Sequence, residues 1–365
     1  MAIIGGGIVG TCAAYFLNQL EPNASVQITL FDSKNGQATK AAAGIISPWL
    51  SKRRNQHWYH LARDGATVVK ELATATNMDG LTYANNGTII TRKNIEQVQE
   101  LEQLAYNRKQ TAPLMGEIQV LQPEEIKQAL PMLTKMTTPG LFISGGSWID
   151  GNRFCQHLLS KCPLIQLRSE KVDLVDDHHL QTKQGVQRFD QIILATGAWT
   201  KKVLSSVHVQ ADIRPQKGQL IEIKLPHATK ANCPVLMPES EYDFIPVATN
   251  RLIIGATHED HSGFDLSETE TATARLLQTA SHLVAGISLE NVILKRVGTR
   301  AYTSDYGPFV GQVPGHPDLL VGTGLGSSGL TTGPLVGQLL ARLALGQSVD
   351  LEYYSKPITN YLRSA

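Results

Sequence analysis

The 365-residue chain has few cysteines and no excess of charge of either sign. Its four cysteines, at positions 12, 155, 162 and 233, form no Cys-x-x-Cys pair, which argues against a structural zinc site or a disulfide framework and fits a reducing cytosol. The 33 Lys and Arg side chains nearly balance 32 Asp and Glu. Because nucleic-acid binders usually carry a basic excess, we expect no nucleic-acid partner.

Long hydrophobic runs are also missing. No uninterrupted apolar stretch could cross a bilayer, so we expect no integral membrane segment, while peripheral membrane contact stays open. The apolar first twenty residues or so follow no Lys or Arg and are broken by glycines, which argues against a secretory signal. With 42% hydrophobic residues, the chain is typical of a globular protein of one large or two domains, and we expect it in the cytoplasm.

One cluster of metal-ligating side chains stands out, the run Asp-Asp-His-His at 176–179. It falls at a turn between two predicted strands, so we interpret it as a hairpin turn and expect no metal site.

A glycine pattern at the N-terminus carries the first functional signal. Gly5 permits a tight bend from strand to helix, Gly7 lets the backbone approach phosphates, and Gly10 lets the helix pack on the strand. Ile8 and Val9 start the helix between the last two glycines. The pattern predicts a dinucleotide pyrophosphate at the positive end of this helix.

The segments after these glycines support a nucleotide site. Apolar residues on helical spacing from Thr11 to Leu20 lead to an alternating strand, Val26 to Phe31, which ends in Asp32 and Ser33. Asp32 lies 22 positions after the third glycine (32 − 10), where an acidic side chain binds ribose hydroxyls. A glycine-rich turn without a nucleotide is the alternative.

Small side chains crowd residues 36–50, which include Thr39, Lys40, Ala43, Gly44 and Ile45. Such a segment lets the backbone approach something flat or large, although a short Ala-rich helix cap is the alternative. Together with the N-terminal glycines, it resembles the FAD-dependent D-amino-acid oxidase superfamily, above all its glycine oxidase and bacterial D-amino-acid dehydrogenase branches. In that family the Ala-Gly turn passes beside the flavin ring.

The resemblance implies an α/β fold, with a Rossmann-like FAD-binding domain and an inserted antiparallel-sheet α+β substrate domain. We assign 1–80, 141–212 and 296–365 to the first domain and 81–140 and 213–295 to the second. The FAD-binding residues implied are Gly5, Gly7, Ile8, Val9, Gly10, Asp32, Ser33, Thr39, Lys40, Ala43, Gly44, Ile45, Val172, Thr196, Gly197, Gly324, Leu325, Gly326, Ser327, Ser328, Gly329 and Leu330.

Two later segments add to the FAD site. A strand that ends in Ala-Thr-Gly at 195–197 resembles the family's second nucleotide signature, and Val172 its backbone contact to adenine. The glycine turn at 323–331 leads into a helix predicted from Gly333 to Leu345, whose N-terminus would face the flavin edge that becomes negative on reduction. Relatives that attach FAD covalently use a cysteine near this turn; since none follows Cys233, we expect non-covalent FAD.

The substrate residues are implied by a "G-x-R-P-x-(T/S)-x-D" segment of the family, which places Arg300 on the substrate carboxylate as a bidentate clamp. A surface arginine is the alternative. Relatives have a substrate-contacting tyrosine three residues before a proline, where this chain has Asp243, with Tyr242 one place off. Because an offset of one residue reverses the facing side of a strand, either a bulge restores Tyr242 or a carboxylate lines the pocket. Ile45 and Ser327 complete the candidate catalytic set.

The resemblance implies oxidation of the C–N bond of a small amino acid (glycine, sarcosine or a D-amino acid) to an imine, by hydride transfer to flavin N5, with O2 or another acceptor. Three alternatives remain: a D-amino-acid dehydrogenase that uses a quinone or other non-oxygen acceptor, a plain NAD(P)-dependent dehydrogenase, and a non-catalytic flavin-binding redox sensor. The second has no use for the Ala-Gly and C-terminal glycine turns. The third is favoured if Asp243 and Leu325 block the pocket. Homo-oligomerisation stays open.

Overall fold

The computed structural model of the protein describes residues 1–21, 26–240 and 242–364. Its helices are α1 Ile8–Leu20, α2 Ala38–Ala41, α3 Gln56–Ala75, α4 Ile95–Lys109, α5 Pro123–Ala129, α6 Gly151–Ser160, α7 Thr200–Leu204, α8 Glu270–Ser281 and α9 Gly329–Ala344. Within the described ranges, no helix is long and apolar enough to cross a membrane.

The strands, in chain order, are β1 Ala2–Ile4, β2 Thr29–Phe31, β3 Ile45–Ile46, β4 Tyr83–Ala84, β5 Thr88–Thr91, β6 Ile118–Leu121, β7 Gly140–Ile143, β8 Ser147–Ile149, β9 Gln166–Arg168, β10 Asp173–Leu174, β11 His179–Thr182, β12 Gly185–Arg188, β13 Ile192–Leu194, β14 Val209–Ala211, β15 Arg214–Lys224, β16 Val235–Met237, β17 Asp243–Ala248, β18 Arg251–Gly255, β19 Val292–Tyr302, β20 Phe309–Val313, β21 His316–Thr323 and β22 Leu362–Ser364. The strand predicted from Val26 is shorter than expected and starts at Thr29.

A six-stranded sheet has the order β20-β21-β13-β1-β2-β9, parallel from β21 to β9. Ile3 faces one hydrophobic core and its neighbours Ala2 and Ile4 face another. Helices α1 and α9 cover the first face, and the second packs on the three-stranded sheet β10-β11-β12 and the short α7. Because α1 follows β1 and α9 follows β21, both helices begin at the carboxyl edge of the sheet, where such folds bind ligands.

Close packing of α9 on α1 fixes these two helix starts relative to each other. A β-carbon on Gly333 would lie 2.5 Å from Ile8 Cγ2, and one on Gly337 would lie 2.6 Å from Cys12 Cβ. The helix starts at Gly329, four residues before the predicted start. The Gly-Pro pair at 333–334 is typical of a helix start, but Pro334 lies inside α9, where it costs one backbone hydrogen bond.

An eight-stranded sheet has the order β19-β15-β18-β17-β16-β5-β7-β6 and is antiparallel except between β16 and β5. One face packs under α8 in a core that contains Phe244 and Leu276. The other face carries Leu220, Ile245 and Ile253. The predicted combination of a nucleotide-type parallel sheet and an antiparallel sheet is confirmed.

The domain boundaries remain predictions, and two strands cross them. β7 (Gly140–Ile143) pairs with β5 and β6 in the eight-stranded sheet, and β19 extends that sheet to Tyr302. Both strands pair with partners distant in sequence, which local composition does not reveal.

Candidate active site

A cavity of about 930 Å³ lies between the carboxyl edge of the six-stranded sheet and one face of the eight-stranded sheet. We call the first side the glycine wall; it is built from residues 4–10, of which Gly6 and Gly10 do not line the cavity, and from the ends of β2 and β13. We call the second the sheet wall; it carries Gly218, Asp243 and Arg300. The short α2 and the start of α9 close the remaining sides.

Most of the predicted site residues meet in this cavity. Those that line it are Gly5, Gly7, Ile8, Val9, Asp32, Ser33, Thr39, Ala43, Gly44, Ile45, Val172, Thr196, Gly197, Asp243, Arg300, Gly324, Leu325, Gly326, Ser327, Ser328, Gly329 and Leu330. Gly10, Lys40 and Tyr242 are not among its lining residues.

Close backbone contacts require glycine at two positions of the glycine wall. Gly5 has φ +106°, and a β-carbon there would lie 2.3 Å from the carbonyl oxygen of Ala195. A β-carbon on Gly10 would lie 1.9 Å from the carbonyl oxygen of Gly5. Gly10 therefore lets α1 approach the loop, as predicted for the third glycine, although it does not line the cavity.

The start of α1 is held by a residue distant in sequence. The backbone N–H of Ile8 donates to Thr39 Oγ1 over 2.9 Å. Gly7, the residue before the helix, has no side chain to cap it, and the first turn carries no acidic residue. A helix start of this kind attracts an anion.

Asp32 is fixed at the cavity by two contacts that sequence reasoning missed. Gln37 Nε2 donates to Asp32 Oδ1 over 2.6 Å. A β-carbon on Gly6 would lie 2.9 Å from Asp32 Cβ, so the middle glycine of the run makes room for the acidic side chain. The Gly-Gly-Gly run could have signalled this third close approach.

The Ala-Gly turn is anchored by Trp148, another residue that sequence reasoning missed. Trp148 Nε1 donates to the carbonyl oxygen of Ala43 over 2.8 Å. Gly44 has φ +87°, and a β-carbon there would lie 2.1 Å from the carbonyl oxygen of Ile149. This geometry leaves glycine as the only unstrained residue at the turn.

The start of α9 presents free backbone N–H groups to the cavity. Ser328 precedes the helix, but its Oγ accepts a hydrogen bond from Trp58 Nε1 over 2.9 Å and donates to the carbonyl oxygen of Leu325. Its side chain does not cap the helix, and the first turn has no acidic residue. The positive end of α9 is therefore available to a ligand.

Ser327 is held between the two sides of the cavity. Its backbone N–H donates to the Tyr302 hydroxyl over 3.1 Å, and Arg53 Nη2 donates to its Oγ over 3.3 Å. The Arg53 guanidinium also stacks 4.6 Å above the Trp58 ring. Arg53 thus lines the cavity, as does its neighbour Lys52.

Arg300 lies flat over a glycine on the sheet wall. A β-carbon on Gly218 would lie 2.7 Å from Arg300 Cζ. Nη1 donates to Gln216 Oε1 over 3.0 Å and to the carbonyl oxygen of Thr257 over 2.8 Å. Both bonds use the same nitrogen, and among the described residues none accepts a hydrogen bond from Nη2 or Nε, which suits a ligand there. Burial lowers the pKa of Arg300, but a guanidinium stays charged at neutral pH.

The carboxylate of Asp260 orients Gln216, the hydrogen-bond partner of Arg300. Gln216 Nε2 donates to Asp260 Oδ1 over 3.0 Å, which fixes the amide so that its oxygen faces the arginine. Asp260 also pairs with Arg214. Gln216 lies on the long strand β15.

Asp243 lines the cavity and Tyr242 does not. Tyr242 is 2% exposed and belongs to the core under α8, where the Arg275 guanidinium lies 5.8 Å from its ring centre. The pairing of β17 with β18 is regular from Asp243 to Pro246. The alternative in which a bulge restores Tyr242 to the pocket is therefore wrong, and a carboxylate faces the cavity.

Within the described residues, no group of three or more metal-ligating side chains is placed to hold a metal. The run at 176–179 forms the predicted turn between β10 and β11, where Asp176 Oδ1 accepts the backbone N–H groups of His178 and His179. Among the four His-Glu-Asp-His residues at 258–261, His258 lines the cavity.

A family model described as FAD dependent oxidoreductase matches residues 1–343. The chain belongs to this family. It is 34% identical to YurR, an uncharacterised oxidoreductase of Bacillus subtilis, over 96% of each chain. It is 26% identical to a glycine oxidase of Pseudomonas aeruginosa over 95% of each chain. Among solved structures, iminodiacetate oxidase from a Chelativorans species superposes with a TM-score of 0.88 and 30% identity, over 99% of this chain and 98% of that one.

The protein is thus an FAD-dependent oxidoreductase, and its cavity fits the cofactor. Glycines that no larger residue could replace and a helix start without an acidic residue suit the pyrophosphate, and Asp32 suits a ribose. The uncapped start of α9 suits the flavin edge that gains negative charge on reduction. Non-covalent attachment stays a prediction; each of the four cysteines is buried, and none lines the cavity.

Proposed function

We propose that the protein oxidises the C–N bond of a small amino acid to an imine. The observation that carries this proposal is Arg300, buried on the sheet wall with one terminal nitrogen engaged and the rest of its guanidinium available. A planar guanidinium of this kind suits a bidentate carboxylate. Glycine oxidase and iminodiacetate oxidase, named among the relatives, both act on such acids.

The parts of the site have separate roles in this reaction. FAD, when bound, accepts a hydride from the α-carbon of the substrate. Arg300 holds the carboxylate of the substrate. This contact orients the α-carbon for hydride transfer. The N–H groups at the start of α9 stabilise the negative charge that develops on reduction. The cavity is open beside Asp243 and Leu325, which disfavours the non-catalytic alternative.

A second candidate substrate class is an amine with two carboxylates. Arg92, at the end of β5, lines the cavity beside the sheet wall, and its Nη1 donates to the carbonyl oxygen of Thr91 over 2.7 Å. Burial lowers the pKa of Arg92, while the nearby carboxylate of Glu239 opposes this shift. Two arginines on one cavity would suit the two acid groups of iminodiacetate, the substrate in the name of one relative.

Anaerobic reduction of the flavin tests the proposal. The FAD-bound protein is mixed with glycine, sarcosine, iminodiacetate and a panel of D- and L-amino acids, and the visible band of oxidised flavin is followed. We expect one group of these acids to bleach the band and release the corresponding oxo acid. Admission of air then separates an oxidase, which regains colour rapidly, from a dehydrogenase.

Failure of every acid to bleach a fully FAD-loaded protein would contradict the proposal. In that case amines that lack a carboxylate, and hydroxy acids, would be tested next. Strong bleaching by iminodiacetate with little effect of glycine would favour the second class.

A further inference from the structure

Asp243 shares a face of the sheet with the Arg300 clamp. It pairs with Gly255 on β18, which pairs with Leu220 on β15. Residues directly opposite each other in a ladder point to the same face, and so do residues two apart on one strand. Gly218, which supports Arg300, therefore lies on the same face as Asp243, and both line the cavity.

The Asp243 carboxylate lacks a partner. Across residues 1–21, 26–240 and 242–364, no side chain or backbone group donates a hydrogen bond to it and no cation pairs with it. The tyrosine before it and the phenylalanine after it are buried on the other face. A carboxylate kept out of water without a partner is costly, which is typical of sites where a ligand supplies the missing partner.

The separation of Asp243 from the Arg300 guanidinium suits one small amino acid. Gly218 and Asp243 lie two strands apart, which is about 10 Å, and two residues apart along the strands, about 7 Å. An α-amino acid with a hydrogen bond at each end, one to a guanidinium and one to an aspartate side chain, spans such a gap.

Apart from Asp32, Glu170, Lys171, Asp173 and Lys202, which follow β2, β9 and β13 in the chain, six other charged or titratable side chains line the cavity. They are Glu239 beside β16, Arg92 on β5, His258 after β18, Arg300 on β19, and Lys52 and Arg53 on the loop before α3. Glu239 interacts electrostatically with Arg92, and Arg53 bonds to Ser327. Asp243 lies on the face that carries the clamp, while Glu259 and Asp260 also act electrostatically on Arg300.

We propose that Asp243 binds the amine nitrogen of the substrate and accepts its proton, while Arg300 holds the carboxylate. This inference rests on the proposed function. In the step, an N–H bond of the substrate ammonium breaks, its electron pair stays on nitrogen, and an O–H bond forms on Asp243. The neutral amine is the form from which FAD, when bound, would accept the α-hydrogen as a hydride.

The environment of Asp243 suits this role. Burial raises the pKa of Asp243 to about 7. A carboxylate of that basicity accepts a proton more readily than one with an ordinary pKa near 3.8, and the ammonium group restores the missing counter-charge.

Binding of two unreactive acids tests the inference without turnover. The first, 2-aminoisobutyrate, has no α-hydrogen; the second, pivalate, has the same shape with a methyl group in place of the ammonium. Binding to the oxidised FAD-bound protein is followed by the shift of the flavin spectrum. At pH 8 we expect at least about tenfold tighter binding of 2-aminoisobutyrate, because only its ammonium pairs with Asp243.

Two variants and one change of pH sharpen this test. Asp243→Asn keeps the shape of the side chain and should abolish the preference, while Glu239→Gln, which removes another cavity carboxylate, should retain it. The preference should also shrink at pH 5, where Asp243 is protonated. In the wild-type protein, the rate of flavin reduction should rise with pH through an apparent pKa that is absent in Asp243→Asn.

The possible failures are distinguishable. Equal binding of both acids by the wild-type protein would overturn the role of Asp243 and leave the carboxylate clamp intact. A preference that survives in Asp243→Asn would also overturn it. If neither acid shifts the spectrum, the inference is wrong, and the anaerobic bleaching experiment decides the proposed function separately.

Discussion

The glycine wall and the sheet wall face each other across one cavity, but the first presents mainly backbone to it and the second mainly side chains. On the glycine wall, the backbone faces the cavity: positions 5, 7 and 10 are glycine, and a β-carbon at position 10 would lie 1.9 Å from a carbonyl oxygen. On the sheet wall, charged side chains face the cavity: Arg300 and Asp243 project from one face of the sheet.

This difference separates two kinds of specificity. Backbone groups and helix starts recognise phosphates, which every dinucleotide carries, so the glycine wall suits a shared cofactor. Side chains recognise the charges of a particular substrate. We therefore expect changes on the two walls to have separable effects, on cofactor retention and on substrate oxidation respectively.

The largest effect is expected on the glycine wall. Gly10→Val would drive a side chain into the carbonyl group of Gly5 and push α1 away from the loop. We expect this variant to lose FAD, measured as the ratio of flavin to protein after gel filtration. Gly80→Val is the control, since nothing lies within 4 Å of a β-carbon there. Full FAD occupancy in the Gly10 variant would contradict the assignment of FAD to the glycine wall.

On the sheet wall, Arg300→Met should leave FAD content unchanged and slow flavin reduction by the best substrate about 10³-fold, near 4 kcal/mol. The reason is loss of a charge-assisted pair that orients the substrate. Arg300→Lys should recover part of the rate, because an ammonium keeps the charge without the fork. Anaerobic stopped-flow spectroscopy measures both. Equal rates in the methionine variant and the wild type would remove Arg300 from the site.

A smaller effect concerns stability. Folding raises the pKa of Asp243 from an ordinary 3.8 to about 7. As pH rises, the carboxyl group therefore ionises first in the unfolded chain. It thus lowers the stability of the substrate-free fold increasingly between about pH 4 and pH 7. Asp243→Asn should thus be more stable than the wild type, by about 2 kcal/mol more at pH 8 than at pH 5. Urea unfolding at both pH values measures this, and a pH-independent difference would contradict the raised pKa.

The smallest effect is expected at the start of α1. Thr39→Val removes the acceptor of the Ile8 N–H and should cost about 1 kcal/mol of stability, with FAD affinity a few-fold weaker. Thr39→Ser keeps the hydroxyl and should match the wild type. Thermal unfolding and FAD titration of the apoprotein measure both quantities. If the valine variant matched the serine variant in stability and FAD affinity, the hydrogen bond to Ile8 would have no role in FAD binding.

The sequence predicted the glycine wall well because backbone conformation restricts residue type. Gly5 and Gly44 have positive φ and lie against carbonyl groups, so only glycine fits there, and its presence in the sequence indicates this geometry. The position of Asp32 also follows from local chain length, since strand, helix and strand succeed each other within about thirty residues.

The sheet wall was harder to predict because its geometry depends on pairing between distant strands. Which of Tyr242 and Asp243 faces the cavity is fixed by the register of β17 against β18, and sequence left both arrangements open. The contacts of Arg300 with Gln216 come from a partner strand more than eighty residues away. The added first turn of α9 likewise packs on a distant segment, since a β-carbon on Gly65 of α3 would lie 2.3 Å from the carbonyl oxygen of Thr331.

A crystal structure of the FAD-bound protein with 2-aminoisobutyrate tests the central claim most directly, because it shows both walls occupied at once. We expect the flavin ring between the start of α9 and the sheet wall, with the carboxylate of the ligand on Arg300. A carboxylate bound away from Arg300, or a flavin ring outside this cavity, would contradict the assignment of the two walls to cofactor and substrate.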